Sequence, residues 1–164
     1  MINRRAYAAM GRLVRARMFP EPLVRLMPGA RLVGVWVDGR RSQLRVNDPA
    51  LKNPSLPADE RFQFSHNISI RGGTSEGAAT EVAHCKITDS TGWTGIHALG
   101  SNGARAVGYT RIANNLVTSY SSSRDLEESF FTDGISNASS DAIIINNEIV
   151  DSSDVGIVTF NPGM

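Results

Sequence analysis

Three segments in the second half of the chain repeat one another, and that self-similarity restricts the fold more than any other feature. Val82-x-x-Cys85-x-Ile87 lies over Ile112-x-x-Asn115-x-Val117 and over Ile144-x-x-Asn147-x-Ile149. Two residues beyond the last apolar position stand Asp89, Ser119 and Asp151, followed by Ser90, Tyr120 and Ser152. Each unit then resumes with a Gly-Ile pair, at Gly95-Ile96, Gly134-Ile135 and Gly156-Ile157. NISIRGG (67–73) fits as a weaker unit, and VRLMPGARLVGVWVDG (24–39) as a weaker one still.

The spacing is 30 then 32 residues at the Cys/Asn column, but 39 then 22 at the Gly column. Insertions explain the mismatch, one at GSNGARAVG (100–108) and a longer one at SSSRDLEESFF (121–131). Without them the unit is about 22 residues, a period that signals a solenoid. Inside each unit apolar residues alternate over short runs, as in Asn147-x-Ile149 and Ile157-x-Thr159. Period 2 with β-branched residues is a strand signal, and no stretch carries the 3.6-residue spacing that helical repeats require. Short strands with Gly, Asn, Ser and Asp corners predict an all-β parallel β-helix, with coils stacked at about 4.8 Å.

The columns predict their own environments. Ile87, Val117 and Ile149 should stack inside, as should Ile96, Ile135 and Ile157. Asn115 and Asn147 share that inward parity, so their amides need partners and should satisfy one another and the backbone. Cys85, in the same column, reads as a small buried hydrophobe rather than a nucleophile. Asp89 and Asp151 fall where a strand turns a corner, a place for local capping.

With 164 residues the chain is one domain, and its 41% hydrophobic and 20% charged content is that of a folded protein. The charge is divided: residues 1–45 hold ten arginines against Glu21 and Asp38, and the remainder carries an excess of acid. Residues 1–21 thus form a basic N-terminal segment, whose amphipathic stretch 4–19 predicts a short capping helix. Residues 22–164 hold the coils, with the inserted loop at 121–131. The basic residues sit in no nucleic-acid-binding motif context beyond Trp36, so no nucleic-acid partner is expected. No apolar run approaches the roughly 20 residues that span a bilayer, so no membrane partner is expected either. Arg12, Arg15 and Arg17 break up any export signal in the opening stretch. The closing TFNPGM follows directly on a strand, which predicts a truncated C-terminal end. Cys85 is the sole cysteine and can form no intrachain disulfide.

NNLV (114–117), DGIS (133–136) and NNEIVDSSDVGIV (146–158) resemble the right-handed parallel β-helix family, the pectate-lyase-like superfamily, in an uncharacterised branch. The likeness covers residues 65–160 well and 22–64 loosely. It implies a right-handed solenoid in an extracellular setting, acting on or binding a polysaccharide or oligosaccharide, with the saccharide groove on the outer face of one parallel sheet. On that strand the outward positions are expected at Trp93, Thr132 and Asp154, then at His97, Ser136 and Val158, with Asp133 at the strand entrance, where that alternation can break.

Asp133, Asp154 and His97 become the candidate catalytic residues, and Trp93, Arg124 and Ser136 the candidate substrate contacts. Two carboxylates facing one groove would push one pKa up, dividing them into acid and base or nucleophile as in glycosidases. The alternative is that Asp133 is only a turn residue before Gly134. Arg124 belongs to the inserted loop, which can shape a binding face or simply be solvated. His66 and His84 lack partners at ligand spacing along the chain, so no zinc site is expected. No cofactor is required, although outward carboxylates could take calcium. The N-T-D, D-D, G-H-G and R-I-K signatures of polygalacturonase-like hydrolases and the D-P-H-D of epimerases are absent, so the reaction stays open among hydrolase, lyase and epimerase. A non-catalytic carbohydrate-binding or surface-structural module is the other reading.

Overall fold

A computed structural model describes residues 2–3, 22–39, 66–90, 94–100, 108–118 and 132–160. These residues are nearly all β, with one 3-10 turn at Glu76–Ala78. The first sheet stacks β2 (Val24–Leu26), β5 (His66–Arg71), β8 (Thr94–Leu99), β11 (Asp133–Asn137) and β14 (Ile157–Thr159). The second stacks β3 (Arg31–Val33), β6 (Thr80–Ala83), β9 (Tyr109–Ala113) and β12 (Asp141–Ile145). The third stacks β1 (Ile2–Asn3), β4 (Trp36–Asp38), β7 (Lys86–Thr88), β10 (Leu116–Thr118) and β13 (Glu148–Val150). Every pairing between these strands is parallel. From β2 onward the chain visits first, second and third sheet in turn and then begins again one layer up. Stacked parallel strands in three sheets are consistent with the parallel β-helix expected from the repeat.

The register is the one the repeat predicts. Ile87, Val117 and Ile149 are partners across β7, β10 and β13, and Ile68, Ile96, Ile135 and Ile157 across β5, β8, β11 and β14. Ile68, Ile87, Ile96, Val117 and Ile135 are fully buried, each stabilising the fold by about 1.5–3 kcal/mol. Ile149 is only partly buried and Ile157 is 45% exposed, because the last coil has a described neighbour on one side alone. Of the sequence expectations, the N-terminal capping helix over 4–19, the loop 121–131 and the final residues 161–164 lie outside the described residues.

The corner from second to third sheet has a two-residue code. Gly34, His84, Asn114 and Asn146 sit there in succession with φ of 68°, 53°, 56° and 54°. Left-handed backbone is costly for most side chains and least so for Gly and Asn, which is why the repeat reads NN at 114–115 and 146–147. The second residue builds a ladder. Asn115 Oδ1 accepts from the Cys85 N–H at 2.9 Å while its Nδ2 donates to Val82 O at 3.0 Å. One coil on, Asn147 Oδ1 accepts from both the backbone N–H and the Nδ2 of Asn115, and Asn147 Nδ2 donates to Ile112 O at 2.9 Å. Cys85 stands in for the amide, its Sγ 3.4 Å from Leu32 O. Asp89 and Asp151, at the corner after the third sheet, also take positive φ, 54° and 56°.

Candidate functional site

The chemistry-bearing side chains gather on the outer face of the first sheet, and the glycine of each Gly-Ile pair puts them there. A Cβ on Gly134 would meet Ile149 Cγ2 and Gly156 O at 2.5 Å; one on Gly95 would meet Val117 Cγ1 at 2.9 Å. Both glycines therefore face the interior, and so do the buried Ile135 and Ile96 that follow. Two consecutive inward residues break the strict alternation of a strand. The residues flanking each pair, Asp133 with Ser136 and Thr94 with His97, consequently share the outer face. The same offset places His66 with Ser69 around Asn67 and Ile68. This corrects one expectation: the outer position on β11 is held by Asp133, not by Thr132.

Two columns result, running across the coils. His66, Thr94 and Asp133 are register partners in one, and Ser69, His97 and Ser136 in the other. Ser136 Oγ donates to Asp133 Oδ2 at 2.7 Å within β11, and the backbone N–H of Val155 donates to Asp133 Oδ1 at 3.3 Å. Diagonally between β5 and β8, His97 Nδ1 and His66 Nε2 are 3.1 Å apart, with the rings edge-on at 67°. Although these positions point away from the core, they are shielded from water: Asp133 and His66 are each 5% exposed, and Ser136 not at all.

Shielding sets the charge states. Burial raises the Asp133 carboxyl above its usual range, and the Asp154 charge raises it further; the hydrogen bonds from Ser136 and Val155 pull partly the other way. Burial also lowers His66 to about 3, helped by its neighbour His97, and lowers His97 to about 4. Both imidazoles are therefore neutral at physiological pH. The face thus offers a carboxyl biased toward keeping its proton, two neutral imidazoles and two buried hydroxyls, those of Ser136 and Thr94. Such a set can donate and accept protons without first being stripped of water.

Among the sequence candidates, the structure brings Asp133, Ser136 and His97 onto one face. Asp154 is exposed beside it and acts on Asp133 by its charge. Trp93 and Arg124 lie outside the described residues. His66 and Ser69 were missed. His66 was read as lacking a partner because spacing was judged along the chain, whereas its partner His97 lies 31 residues away, one coil on. Aligning Ile68 with Ile96 and Ile135 would have found it, since His66 and Asp133 both stand two residues before their isoleucine.

Among the described residues no three His, Cys, Asp or Glu side chains form a metal-binding group, and no helix is long and apolar enough to cross a membrane. Asn67-Ile68-Ser69 and Asn137-Ala138-Ser139 match the N-glycosylation triplet, but both asparagines are buried, with their amides donating to Thr88 O and Ser139 O. Comparison with protein-family models, with curated proteins and with solved structures found no significant match.

Proposed function

We propose that the chain is a right-handed parallel β-helix protein of the pectate-lyase-like kind, working outside the cell, that cleaves polysaccharide on the outer face of its first sheet. Asp133 is the general acid, Asp154 the exposed carboxylate beside it, and His97 a neutral imidazole that takes or relays a proton. Ser136 orients Asp133 through its hydrogen bond, and Trp93 and Arg124 contact the sugar. The observation that carries this reading is the pairing of a buried, hydrogen-bonded Asp133 with the nearby exposed charge of Asp154. Two carboxyl groups held in unlike environments are what an acid and a base or nucleophile need for glycoside cleavage.

The test is a panel of acidic and neutral polysaccharides, with and without calcium, assayed for new reducing ends and for the ultraviolet absorbance of unsaturated uronate ends. Reducing ends alone, lost in an Asp133→Asn/Asp154→Asn variant with unchanged circular dichroism, support hydrolysis by this pair. Unsaturated ends indicate a lyase, in which calcium held by outward carboxylates would assist. Binding without product on every substrate removes the catalytic reading and leaves a carbohydrate-binding module.

A further inference from the structure

We propose that His66 and His97 together chelate a divalent transition-metal ion between adjacent coils of the first sheet. Their facing nitrogens, His66 Nε2 and His97 Nδ1, are 3.1 Å apart, with ring centroids at 4.5 Å. Two nitrogens each bound to one ion at about 2.0–2.1 Å stand that far apart when they occupy neighbouring coordination positions. The centroids are also closer than a collinear N–H···N contact of this length would allow. At least one ring is therefore inclined to the line joining the nitrogens, as a shared ion also requires.

Two further observations fit a shared ion. The two side chains come from neighbouring strands locked in parallel register, His66 opposite Thr94 and Ser69 opposite His97, so the bite is set by the backbone. The next strand of the same face carries a carboxyl and a hydroxyl, Asp133 and Ser136, register partners of Thr94 and His97. Groups of that kind commonly steady ligating imidazoles from behind. Neutral imidazoles select Zn(II), Ni(II) or Cu(II) over calcium or magnesium, which take oxygen ligands. Two protein ligands leave the remaining positions to water or to another donor.

The chain has three histidines, which makes the experiment clean. Untagged full-length protein is titrated calorimetrically with Zn(II) at neutral pH, and its Cu(II) complex is examined by electron paramagnetic resonance. The expected result is one equivalent bound, with the hyperfine pattern of two imidazole nitrogens. His66→Ala and His97→Ala should each weaken binding at least tenfold, while His84→Ala, at an exposed corner, should leave it unchanged. If either His66→Ala or His97→Ala fails to fold, the nitrogen count in the wild-type spectrum decides alone. Absence of stoichiometric binding, a single-nitrogen spectrum, or binding unchanged in folded His66→Ala and His97→Ala overturns the proposal.

Discussion

Two sets of buried or half-buried polar side chains run across these stacked strands, and they are built on opposite terms. At the corner between the second and third sheets, Asn115 and Asn147 spend their amides on the previous coil's backbone and on each other. Neither can titrate, and each satisfies groups that would otherwise be orphaned, so the ladder adds stability. On the outer face of the first sheet, by contrast, Asp133, His66 and His97 are shielded titratable groups with displaced pKa values. Keeping them there costs stability at some pH. Polar burial that stabilises marks scaffold; polar burial that costs stability marks the place to look for function.

Removing a rung should have the largest effect. Asn115→Ala strips partners from the Cys85 N–H, from Val82 O and from Asn147, and is expected to cost about 3 kcal/mol or more in urea unfolding. A loss below about 1 kcal/mol would show the ladder to be ornamental. Acid should strain the other set nearly as much. Because burial lowers both histidines in the fold, the unfolded chain takes up protons first as pH falls below its ordinary value of 6.5. Stability is therefore full above about pH 6.5 and declines toward pH 4, by on the order of 3 kcal/mol for His97 alone. His97→Gln should flatten that decline in thermal melts taken across the range, and an unaltered pH slope would contradict the assignment.

Gly134→Ala tests the inward glycine that puts Asp133 outside. Its Cβ has no room beside Ile149 and Gly156, so a loss of roughly 1–3 kcal/mol is expected in the same urea assay. The smallest effect belongs to Cys85→Asn, which completes the ladder. Its amide can reach toward Leu32 O where the thiol now sits, so stability should stay within about 1 kcal/mol of wild type. A large loss would mean that the cysteine site is shaped for sulfur.

Much of this contrast was legible in the residues themselves. The Cys/Asn column and the isoleucine columns gave strands, parallel register and core, because inward residues of successive coils must stack on their own kind. The strand entrance at Asp133 was legible as a place where the alternation can break, but not which residues then face inward. Strand periodicity says nothing about a glycine whose missing Cβ lets two residues in a row face inward, so Thr132 was placed outward in place of Asp133. The His66–His97 contact was hidden for a different reason. It joins two coils, and only correct alignment of the weak NISI unit reveals it.

The most direct measurement sets Asp133→Asn beside wild type at pH 7, with urea unfolding and polysaccharide cleavage read on the same samples. Burial raises the Asp133 carboxyl, so its ionised form is disfavoured in the fold, and stability is lost as pH rises from the unfolded carboxylate value through the raised folded one. Asparagine escapes that cost and can still meet Ser136 and Val155. The unfolding midpoint should therefore hold or rise, while cleavage falls about 100-fold or more. A midpoint that falls as far as that of Asn115→Ala would make Asp133 one more structural rung and contradict the account.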